Sequence, residues 1–497
     1  MASKTPNIVL IVLDTVGAKH LSLYGYQRPT SPYLEQIAEA STLYTRCFAP
    51  GCWTLPTHAS MFTGLYPGEH KAFGTNYILD ANLQHLVTIL KHAGYKTYGF
   101  SSNGWVSPLT GVCRDFDLFA DYGSIVALTM NDKGDPKRRA FLKQMQERPP
   151  SWEKLRYLAF EGLKHGYSDI LWSYGINVVK KFLMGGPASQ NSHRYTNRSF
   201  RGATKLLKQH SSTDSPFFLF FNFMDGHSLY SPPYQDRHFS RLQDRQTIQS
   251  YCLYAEEYIP LREQLLAVWQ NLYDDAIISV DRAVYRFWQD LQNLGLRHNT
   301  IFMVTGDHGE HFGEKGHYEH HFSLYNEDIL VPLLISFPKS IRAPGTDDRL
   351  VSLNDIFSTL LEVCNSPYPQ PHSSESVLSA SPRASLSSMI LGGKARKERL
   401  RMQLKQSKAW ENQLPLCSYA LVLAEGLKII EQHDGRLEIY NLAVDPGEAT
   451  DLAPRLEPEM LQELASLLYL DQQQTGYDKT KTLASEEELL PLEFLAL

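Results

Sequence analysis

The sequence predicts an α/β protein with a mostly parallel central sheet flanked by helices, followed by a small antiparallel subdomain. Two apolar runs support the sheet, IVLIVL at 8–13 and IFMVT at 301–305. Both are rich in β-branched residues and have no polar alternation, which is typical of strands buried on both faces. Each run leads to an aspartate, Asp14 directly and Asp307 after one glycine. Binding sites of α/β proteins lie at these carboxyl ends of strands.

Other segments supply the remaining strands and the flanking helices. Further apolar runs predict strands at 96–103, 216–223 and 330–337. Apolar residues at helical spacing predict helices at 31–45, from Thr57 to Phe62, at 83–93, twice within 250–295 and at 352–364. The Ser31-Pro32 pair begins the first helix, because proline is favoured in a first turn. These segments extend the α/β pattern over the first 365 residues.

The chain divides into three parts by composition. We predict one catalytic α/β domain at 1–365, interrupted by a helical insertion at about 125–212 that is rich in Lys, Arg, Trp and Tyr. The Ser/Pro-rich segment at 366–395 predicts a linker or long loop. In the remainder, 396–497, SYALVLAEGLKIIEQHDGRLEIYNL predicts three short strands with an Asp-Gly turn. A final helix at about 455–470 completes this antiparallel subdomain.

Composition limits the partners and the compartment. The chain has 497 residues, of which 43% are hydrophobic and 21% charged, as in an ordinary globular protein. Its net charge of −6 gives no reason to expect nucleic acid or an anionic membrane as partner. No secretory signal is visible, and no run approaches the ~20 apolar residues that span a bilayer. The six cysteines form no CxxC pair, which favours free thiols. We therefore expect a soluble cytoplasmic protein.

The loop after the second apolar run has the highest density of potential ligands. Gly306-Asp307-His308-Gly309 frames a carboxylate and an imidazole with glycines. Within the next dozen residues come six more side chains that can ligate metals: Glu310, His311, Glu314, His317, His320 and His321. Oxygen and nitrogen ligands at the end of a buried strand predict a metal site. The alternative is a polar loop that is merely rich in histidine.

Polar residues end four of the predicted strands: Asp14, Asn103, Asp225 with His227, and Asp307 with His308. Three of them are sufficient ligands for one divalent cation, namely Asp14, Asp307 and His308. Thr54 lies at or just before a predicted helix start, where backbone N–H groups favour an anion. A bound cation would lower the pKa of the Thr54 hydroxyl and make it a nucleophile. The alternative is that Thr54 only caps the helix.

Three motifs in this order resemble the sulfatase branch of the alkaline phosphatase superfamily. They are PNIVLIVLDTVGAKHLSLYGY, WTLPTHASMFTGLYPGEH and TGDHGEHFGEKGHYEHHFSLYNEDILVPLLI. AGYKTYGFSSNGW and NFMDGHSLYSPP fit the pattern between them, and GLKIIEQHDGRLEIYNLAVDPGEATDLA resembles the family's C-terminal subdomain. The resemblance covers most of the chain apart from the insertion and the linker. It implies an alkaline phosphatase-like fold with a mixed, mostly parallel sheet.

The resemblance also implies an activity and a set of site residues. The activity is hydrolysis of small sulfate or phosphate esters, with a divalent cation at the carboxyl edge of the sheet. The family's metal ligands are matched by Asp14, Asp307 and His308. Thr54 matches the nucleophile position, and His227 matches a histidine that contacts the transferred group or protonates the leaving oxygen. Asn103 falls, within one residue, where many sulfatases have a substrate-binding lysine.

The nucleophile motif departs from the family pattern. Sulfatases have Cys-x-Pro-x-Arg, or serine first, and an enzyme converts that first residue to formylglycine. Here the pentapeptide is Thr54-Leu55-Pro56-Thr57-His58, and threonine is not a known substrate for that conversion. We therefore expect no formylglycine. Threonine is the usual nucleophile in the phosphodiesterase and phosphotransferase branches. His58 takes the place of the arginine, so we expect it to contact the substrate.

Two further departures concern the metal. Thr15 follows Asp14 where most sulfatases have a second aspartate, so one anionic ligand is missing. This change favours Mn²⁺ or Zn²⁺ over Ca²⁺, which prefers many oxygen ligands. His320 stands where the sulfatase pattern has a substrate-binding lysine. It either donates to the substrate in place of that lysine or joins Asp225 and His227 around a second cation.

The sequence supports one main functional hypothesis and two alternatives. A metal-dependent hydrolase would cleave sulfate, phosphate or phosphonate esters through attack by Thr54, with His227 or His320 protonating the leaving group. The first alternative is a two-metal enzyme of the phosphodiesterase type. The second is a catalytically silent protein of the same fold that binds a sulfated or phosphorylated ligand. No motif identifies the substrate or the oligomeric state.

Overall fold

The computed structural model describes most of the chain. The described residues are 5–73, 76–121, 192–210, 215–228, 230–241, 244, 262–320, 323–369, 373–391 and 417–478. Most of the predicted helical insertion therefore lies outside the described residues, as do His321 and the first part of 250–295. The described end of the insertion is a helix, as predicted.

Strands and helices alternate along the first two thirds of the chain. The strands are β1 (Asn7–Leu13), β2 (Thr42–Phe48), β3 (Lys96–Ser101), β4 (Leu118–Asp121), β5 (Phe217–Phe223), β6 (Thr300–Gly306), β7 (His311–Phe312), β8 (Tyr318–Glu319), β9 (Leu333–Ser336), β10 (Gly345–Ser352), β11 (Ser385–Leu391), β12 (Cys417–Leu423), β13 (Leu427–Glu431) and β14 (Leu437–Asn441). The α-helices are α1 (Pro32–Ala38), α2 (Thr54–Thr63), α3 (Pro67–His70), α4 (Leu86–His92), α5 (Ser192–His210), α6 (Arg262–Asn293), α7 (Asn326–Ile329), α8 (Asp355–Val363) and α9 (Pro458–Gln474). Short 3₁₀ helices lie at Ala18–His20, Ser22–Tyr24, Pro108–Thr110, Tyr234–Asp236, Arg297–Asn299, Glu314–Gly316 and Ala453–Arg455.

The central sheet is mostly parallel, as predicted. In the described residues it has eight strands in the order β10-β2-β9-β6-β1-β5-β3-β4. Only β9 runs against its neighbours β2 and β6. Strand β1 lies between β5 and β6, and its register pairs Leu13 with Phe223 on one side and with Gly306 on the other. The three strands therefore end level with one another, so the residues that follow them share one edge of the sheet.

The residues of strand β1 are buried on both faces of the sheet. All seven of its residues are buried. Ile8, Leu10 and Val12 pack into the core on one face of the sheet. The alternate residues, Val9 and Ile11 among them, pack on the other face against residues of helix α6. Each such aliphatic side chain contributes about 1.5–3 kcal/mol by burial, so the apolar run fixes the strand at the centre of the fold.

The C-terminal part forms a second, antiparallel sheet in the order β11-β12-β13-β14. The three strands and the final helix predicted there are confirmed. Lys428 of β13 is fully buried, and its Nζ donates to Oδ1 of Asn326 at 2.9 Å and to Oε1 of Glu448 at 2.5 Å. Since Asn326 begins α7 beside the central sheet, this buried junction ties the antiparallel sheet to the larger one.

Strand β2 corrects one predicted helix. The sequence predicts a helix at 31–45, but α1 ends at Ala38 and residues 42–48 form β2. The segment TLYTRCF is rich in β-branched and aromatic residues, which favour a strand. It pairs with β9 and β10, and β10 is itself a strand that the sequence analysis does not predict. Pairing within the sheet thus outweighs local helical spacing.

Two other segments differ from their predictions. Part of the predicted linker at 366–395 forms strand β11, which pairs with β12 and is an edge of the antiparallel sheet. Its Ser-rich sequence suits an edge strand, but composition alone predicts a loop. The described part of 250–295 is one long helix, α6. The domain boundaries themselves stay a prediction.

None of the helices in the described residues is long and apolar enough to cross a membrane. Cys47 and Cys364 are free thiols, in agreement with the prediction from the cysteine spacing.

Candidate active site

The carboxyl edge of the central sheet gathers the predicted site residues. Asp14 follows β1, Asn103 follows β3 and Asp307 follows β6. Helix α2 begins beside them with Thr54, which is only 3% exposed. Residues that are far apart in sequence therefore form one buried polar cluster, because parallel neighbouring strands end together.

Three of these residues form a candidate metal centre. Within the described residues, one group of three His, Cys, Asp or Glu side chains brings its ligand atoms within 4.8 Å of one another, and it consists of Asp14, Asp307 and His308. All three side chains have no solvent exposure. These are the ligands that the sequence predicts.

Asp307 has one carboxylate oxygen that is ready for a cation. Its Oδ1 accepts hydrogen bonds from the backbone N–H groups of Thr15 and His308, both at 2.9 Å. Its Oδ2 is buried and has no hydrogen-bond partner among the described residues. Burial, together with the nearby Asp14 carboxylate, raises the pKa of Asp307 well above its usual value. A buried carboxylate oxygen without a partner is costly, and a divalent cation would satisfy it.

Asp14 is held as an anion by its neighbours. Its Oδ2 accepts from Nδ2 of Asn103 at 2.7 Å and from Nδ2 of Asn222 at 3.3 Å. Burial alone would raise the pKa of Asp14, but electrostatic interaction with the His227 and His308 imidazoles and the hydrogen bond from Asn103 outweigh burial and lower that pKa. The pair of carboxylates thus fits a cation.

Thr15 carries backbone strain at this edge. Its φ of 64° lies in the left-handed region, which is unusual for a β-branched residue. This conformation lets its N–H reach Asp307 at 2.9 Å while its hydroxyl donates to Oδ1 of Asp14 at 3.0 Å. The hydroxyl of Tyr273, from α6, donates to the Thr15 carbonyl at 2.7 Å. The residue that replaces the family's second aspartate therefore links the two carboxylates.

His308 presents one defined nitrogen to the site. Its Nδ1 lies 3.0 Å from the carbonyl oxygen of Gly309, so Nδ1 carries the proton and donates it. Its Nε2 lies 3.6 Å from Oδ2 of Asp307 and 3.4 Å from Oγ1 of Thr54. Burial lowers the pKa of His308, which favours the neutral imidazole. A neutral ring whose Nδ1–H bonds a carbonyl is the usual form of a metal-ligating histidine.

Thr54 is the first residue of α2 rather than its cap. The capping position is Trp53, and no side chain caps this helix end. The alternative reading of Thr54 as an N-cap is therefore wrong. Its Oγ1 instead lies 3.4 Å from Nε2 of His308 and 3.4 Å from Nδ2 of Asn103. The hydroxyl thus faces the candidate metal centre.

His58 supports Thr54 from the next turn of α2. Its Nδ1 lies 2.9 Å from the carbonyl oxygen of Thr54, and its Nε2 lies 3.3 Å from Nδ2 of Asn222. Burial lowers the pKa of His58 to about 4, so the ring is neutral near pH 7. These contacts support a positioning role, and the predicted contact between His58 and substrate stays a prediction.

Asn222 is a site residue that the sequence analysis does not identify. It is buried in β5, and its amide group bridges the Asp14 carboxylate and the His58 ring. The only available signal is one amide near the end of the apolar run PFFLFFNF. Asn222 therefore connects the candidate metal ligand Asp14 to His58, which supports Thr54.

The predicted second metal site receives less support. Oδ2 of Asp225 accepts a 2.5 Å hydrogen bond from the hydroxyl of Thr196 on α5, and burial raises the pKa of Asp225 to about 7. The rings of His227 and His320 lie edge to face, with centroids 5.1 Å apart. Among the described residues, the ligand atoms of these three side chains do not all lie within 4.8 Å of one another. A second cation stays a prediction.

His320 nevertheless belongs to the site. Its ring centroid lies 4.6 Å from that of His308. The neighbouring His311 has another function, because its Nε2 lies 2.7 Å from Oγ of Ser323 and 3.5 Å from Oδ2 of Asp328. Of the histidine-rich loop, His308 and His320 therefore reach the site, while His311 holds the loop to Ser323 and to Asp328 of α7.

Known proteins with similar sequences are sulfatases. A family model described as Sulfatase matches residues 6–366. The N-acetylgalactosamine-6-O-sulfatase of Bacteroides thetaiotaomicron is 22% identical over 522 residues, which cover 94% of this chain and 93% of that protein. Arylsulfatase K of Homo sapiens is 22% identical over 482 residues, which cover 94% of this chain and 82% of that protein.

A solved structure shares the fold. The phosphonate monoester hydrolase of Agrobacterium radiobacter superposes with a TM-score of 0.63 at 19% identity, over 94% of this chain and 96% of that one. The predicted alkaline phosphatase-like architecture is thereby confirmed.

Proposed function

The chain belongs to the sulfatase family, and we propose that it is a metal-dependent ester hydrolase whose nucleophile is Thr54. Its substrates in this proposal are small sulfate, phosphate or phosphonate esters. Support for the ester class comes from the sulfatase relatives and from the phosphonate monoester hydrolase of the same fold. Support for the nucleophile comes from geometry.

The observation that carries the proposal is the position of the Thr54 hydroxyl. It lies 3.4 Å from Nε2 of His308, and the Asp14, Asp307 and His308 ligand atoms lie within 4.8 Å of one another. It also lies at the N-terminus of α2, where the helix dipole and free backbone N–H groups favour an anionic substrate. A nucleophile, a cation site and an anion site thus coincide.

Asp14, Asp307 and His308 would hold the cation. When bound, a divalent cation lowers the pKa of an adjacent hydroxyl and offsets the negative charge on the ester oxygens. Two carboxylates and one imidazole suit Mn²⁺ or Zn²⁺ better than Ca²⁺, which takes six to eight oxygen ligands. The buried Oδ2 of Asp307, which lacks a hydrogen-bond partner among the described residues, is the atom that most requires such an ion.

Each residue of the site has its own role in the proposed ester hydrolysis. Oγ1 of Thr54 gives its proton to a water molecule and attacks sulfur or phosphorus, and the bond to the leaving oxygen breaks. His227 or His320 gives a proton to that oxygen. Nδ2 of Asn103, 3.4 Å from Oγ1 of Thr54, donates to an oxygen of the transferred group. Water then attacks sulfur or phosphorus of the threonyl ester and returns a proton to the histidine. The bond to Oγ1 breaks, Oγ1 takes up a proton from solvent, and the acid is released.

A panel of aryl esters tests the proposal. Purified protein is stripped of metal with a chelator and assayed on an aryl sulfate, an aryl phosphonate and a bis-aryl phosphodiester, with Mn²⁺, Zn²⁺ or Ca²⁺ added back. We expect turnover of at least one ester, dependent on Mn²⁺ or Zn²⁺. Folded protein that binds metal but turns over none of them would instead support the silent ligand-binding alternative. Full activity in excess chelator would contradict the metal requirement.

A further inference from the structure

Glu310 is a buried carboxylate with a polar partner on each of its two oxygens. It is 1% exposed, and its Oε1 lies 2.9 Å from Nδ1 of His320. Its Oε2 accepts a 2.8 Å hydrogen bond from the hydroxyl of Tyr230. That hydroxyl in turn accepts a 2.8 Å bond from Nε1 of Trp269 on α6. The chain of bonds therefore runs from α6 through Tyr230 and Glu310 to a histidine of the active site.

The backbone before Glu310 is also fixed. Gly309 donates its N–H to the carbonyl of Asp328 at 2.8 Å. A Cβ at Gly309 would lie 2.0 Å from the carbonyl oxygen of Glu327, so no other residue fits there without a backbone shift. Tyr230 packs edge to face on Trp269, with ring centroids 5.6 Å apart. The Glu310 carboxylate is thus fixed in two ways, by the constrained backbone at Gly309 and by the hydrogen bond from Tyr230 to its Oε2.

This arrangement decides which nitrogen of His320 carries the fixed proton. With Glu310 ionised, its Oε1 accepts and Nδ1 of His320 donates, which leaves Nε2 as the nitrogen that exchanges a proton with other groups. The His320 ring stacks at a tilt 4.6 Å from His308 and therefore lies within the active site. His227 differs, since the partners of its Nδ1 are the carbonyl and hydroxyl oxygens of Ser228, both at 3.4 Å, rather than a carboxylate.

We propose that Glu310 is a positioning residue that orients His320 as the general acid of the reaction, a role that rests on the proposed function. As the bond from sulfur or phosphorus to the leaving oxygen breaks, that oxygen takes the proton from Nε2 of His320. The ring becomes neutral and keeps its Nδ1–H on Glu310. In the second half of the reaction, Nε2 regains its proton from the water that attacks the threonyl ester. The hydrogen bond from Tyr230 keeps the Glu310 carboxylate in the position that orients the His320 ring.

The test compares two esters that differ only in the leaving group. The metal-loaded enzyme and its Glu310→Gln variant are assayed on the 4-nitrophenyl and the phenyl ester of the acid that the enzyme accepts. Phenolate needs protonation as it leaves, whereas 4-nitrophenolate does not. We expect kcat on the phenyl ester to fall about 100-fold, the lower bound of a general-acid effect, with a much smaller change on the 4-nitrophenyl ester. KM should change little on either.

Two further variants control for structure. Tyr230→Phe keeps the bond between Glu310 and His320 and removes one anchor, so the same selective loss should appear at smaller size. Glu314→Gln makes the matched change in the same loop, where Glu314 pairs with Lys19 rather than with a site residue, and should leave the ratio of the two rates unchanged.

The outcomes separate the two claims. Equal losses on both esters in Glu310→Gln, or no loss on either, would overturn the positioning role. Should Glu310→Gln fail to fold, Glu310→Asp decides, because it shortens the side chain and moves the carboxylate away from Nδ1 of His320; an unchanged rate ratio there overturns the role as well. Wild-type enzyme that hydrolyses neither ester would overturn the proposed function and this inference with it.

Discussion

Oγ1 of Thr54 lies 3.4 Å from Nε2 of His308, although the two residues are 254 positions apart in the chain. The contact exists because α2 begins beside the carboxyl end of β6, and the loop after β6 carries His308. The contact places the Thr54 hydroxyl beside the candidate metal centre.

Asp307→Asn should have opposite effects on the metal-free and the metal-bound protein. Without metal, the variant should be more stable than wild type, because it removes one of two buried carboxylates and an oxygen that lacks a partner in the described residues. With metal, wild type should gain about 2.7 kcal/mol at 100 times its Kd, and the variant should gain almost nothing. Thermal unfolding with chelator and with Mn²⁺ or Zn²⁺ measures both effects.

Asp348→Asn is the matched control for that experiment. Asp348 is exposed on β10, where its carboxylate accepts from the hydroxyl of Thr45. This variant should keep the full metal-induced rise in Tm. A rise of wild-type size in Asp307→Asn would show that Asp307 is not a ligand.

Lys428→Met should strongly destabilise the protein. The substitution leaves Glu448 buried without its cation, and breaking a buried ion pair in this way costs about 3–5 kcal/mol. Adding Glu448→Gln should recover part of the loss, since glutamine keeps an oxygen for the N–H of Asn326 and carries no charge. Chemical denaturation measures the three free energies of unfolding. If Lys428→Met were as stable as wild type, the buried junction would not stabilise the contact between the two sheets.

Asp347 should contribute stability that disappears in acid. Burial alone would raise its pKa, but hydrogen bonds and charge from Arg349 and Arg342 outweigh burial and lower that pKa to about 2. A folded-state pKa below the ordinary value of 3.8 means that the contribution is present above that pH. It should be lost as the pH falls toward 2.

The measurement for Asp347 is the slope of unfolding free energy against pH. Asp347→Asn should be less stable than wild type at neutral pH and should lose less stability between pH 4 and pH 2. Asp348→Asn, one residue along the same strand, is exposed and should be as stable as wild type at neutral pH. If the unfolding free energies of Asp347→Asn and wild type fell in parallel between pH 4 and pH 2, Asp347 would not make this pH-dependent contribution to stability.

The sequence identifies the parts of the site that apolar runs lead into. Asp14 and Asp307 each follow a continuous apolar run, so strand prediction also predicts that they lie together at one sheet edge. Thr54 and His308 follow from the order of the motifs. The strands β1, β5 and β6 are predicted to within a residue or two for the same reason.

What the sequence misses depends on contacts between distant segments. Asn222 is one amide in an apolar strand, and only the approach of α2 gives it His58 as a partner. Strand β2 is assigned to a helix because local spacing does not reveal its pairing with β10. The bond between Tyr230 and Glu310 crosses 80 residues, and no periodicity encodes it.

The most direct test of the account is the rate of Thr54→Ala on an aryl ester with Mn²⁺ or Zn²⁺ bound. We expect a loss of at least about 1,000-fold, as for removal of a covalent nucleophile, with metal content unchanged. Thr54→Ser should retain measurable turnover, because serine keeps the hydroxyl. Thr63→Ala, at the other end of α2, should match wild type, since its hydroxyl bonds the carbonyl of Ala59 within the helix. Thr54→Ala with wild-type activity would show that another group attacks the ester and would contradict the account.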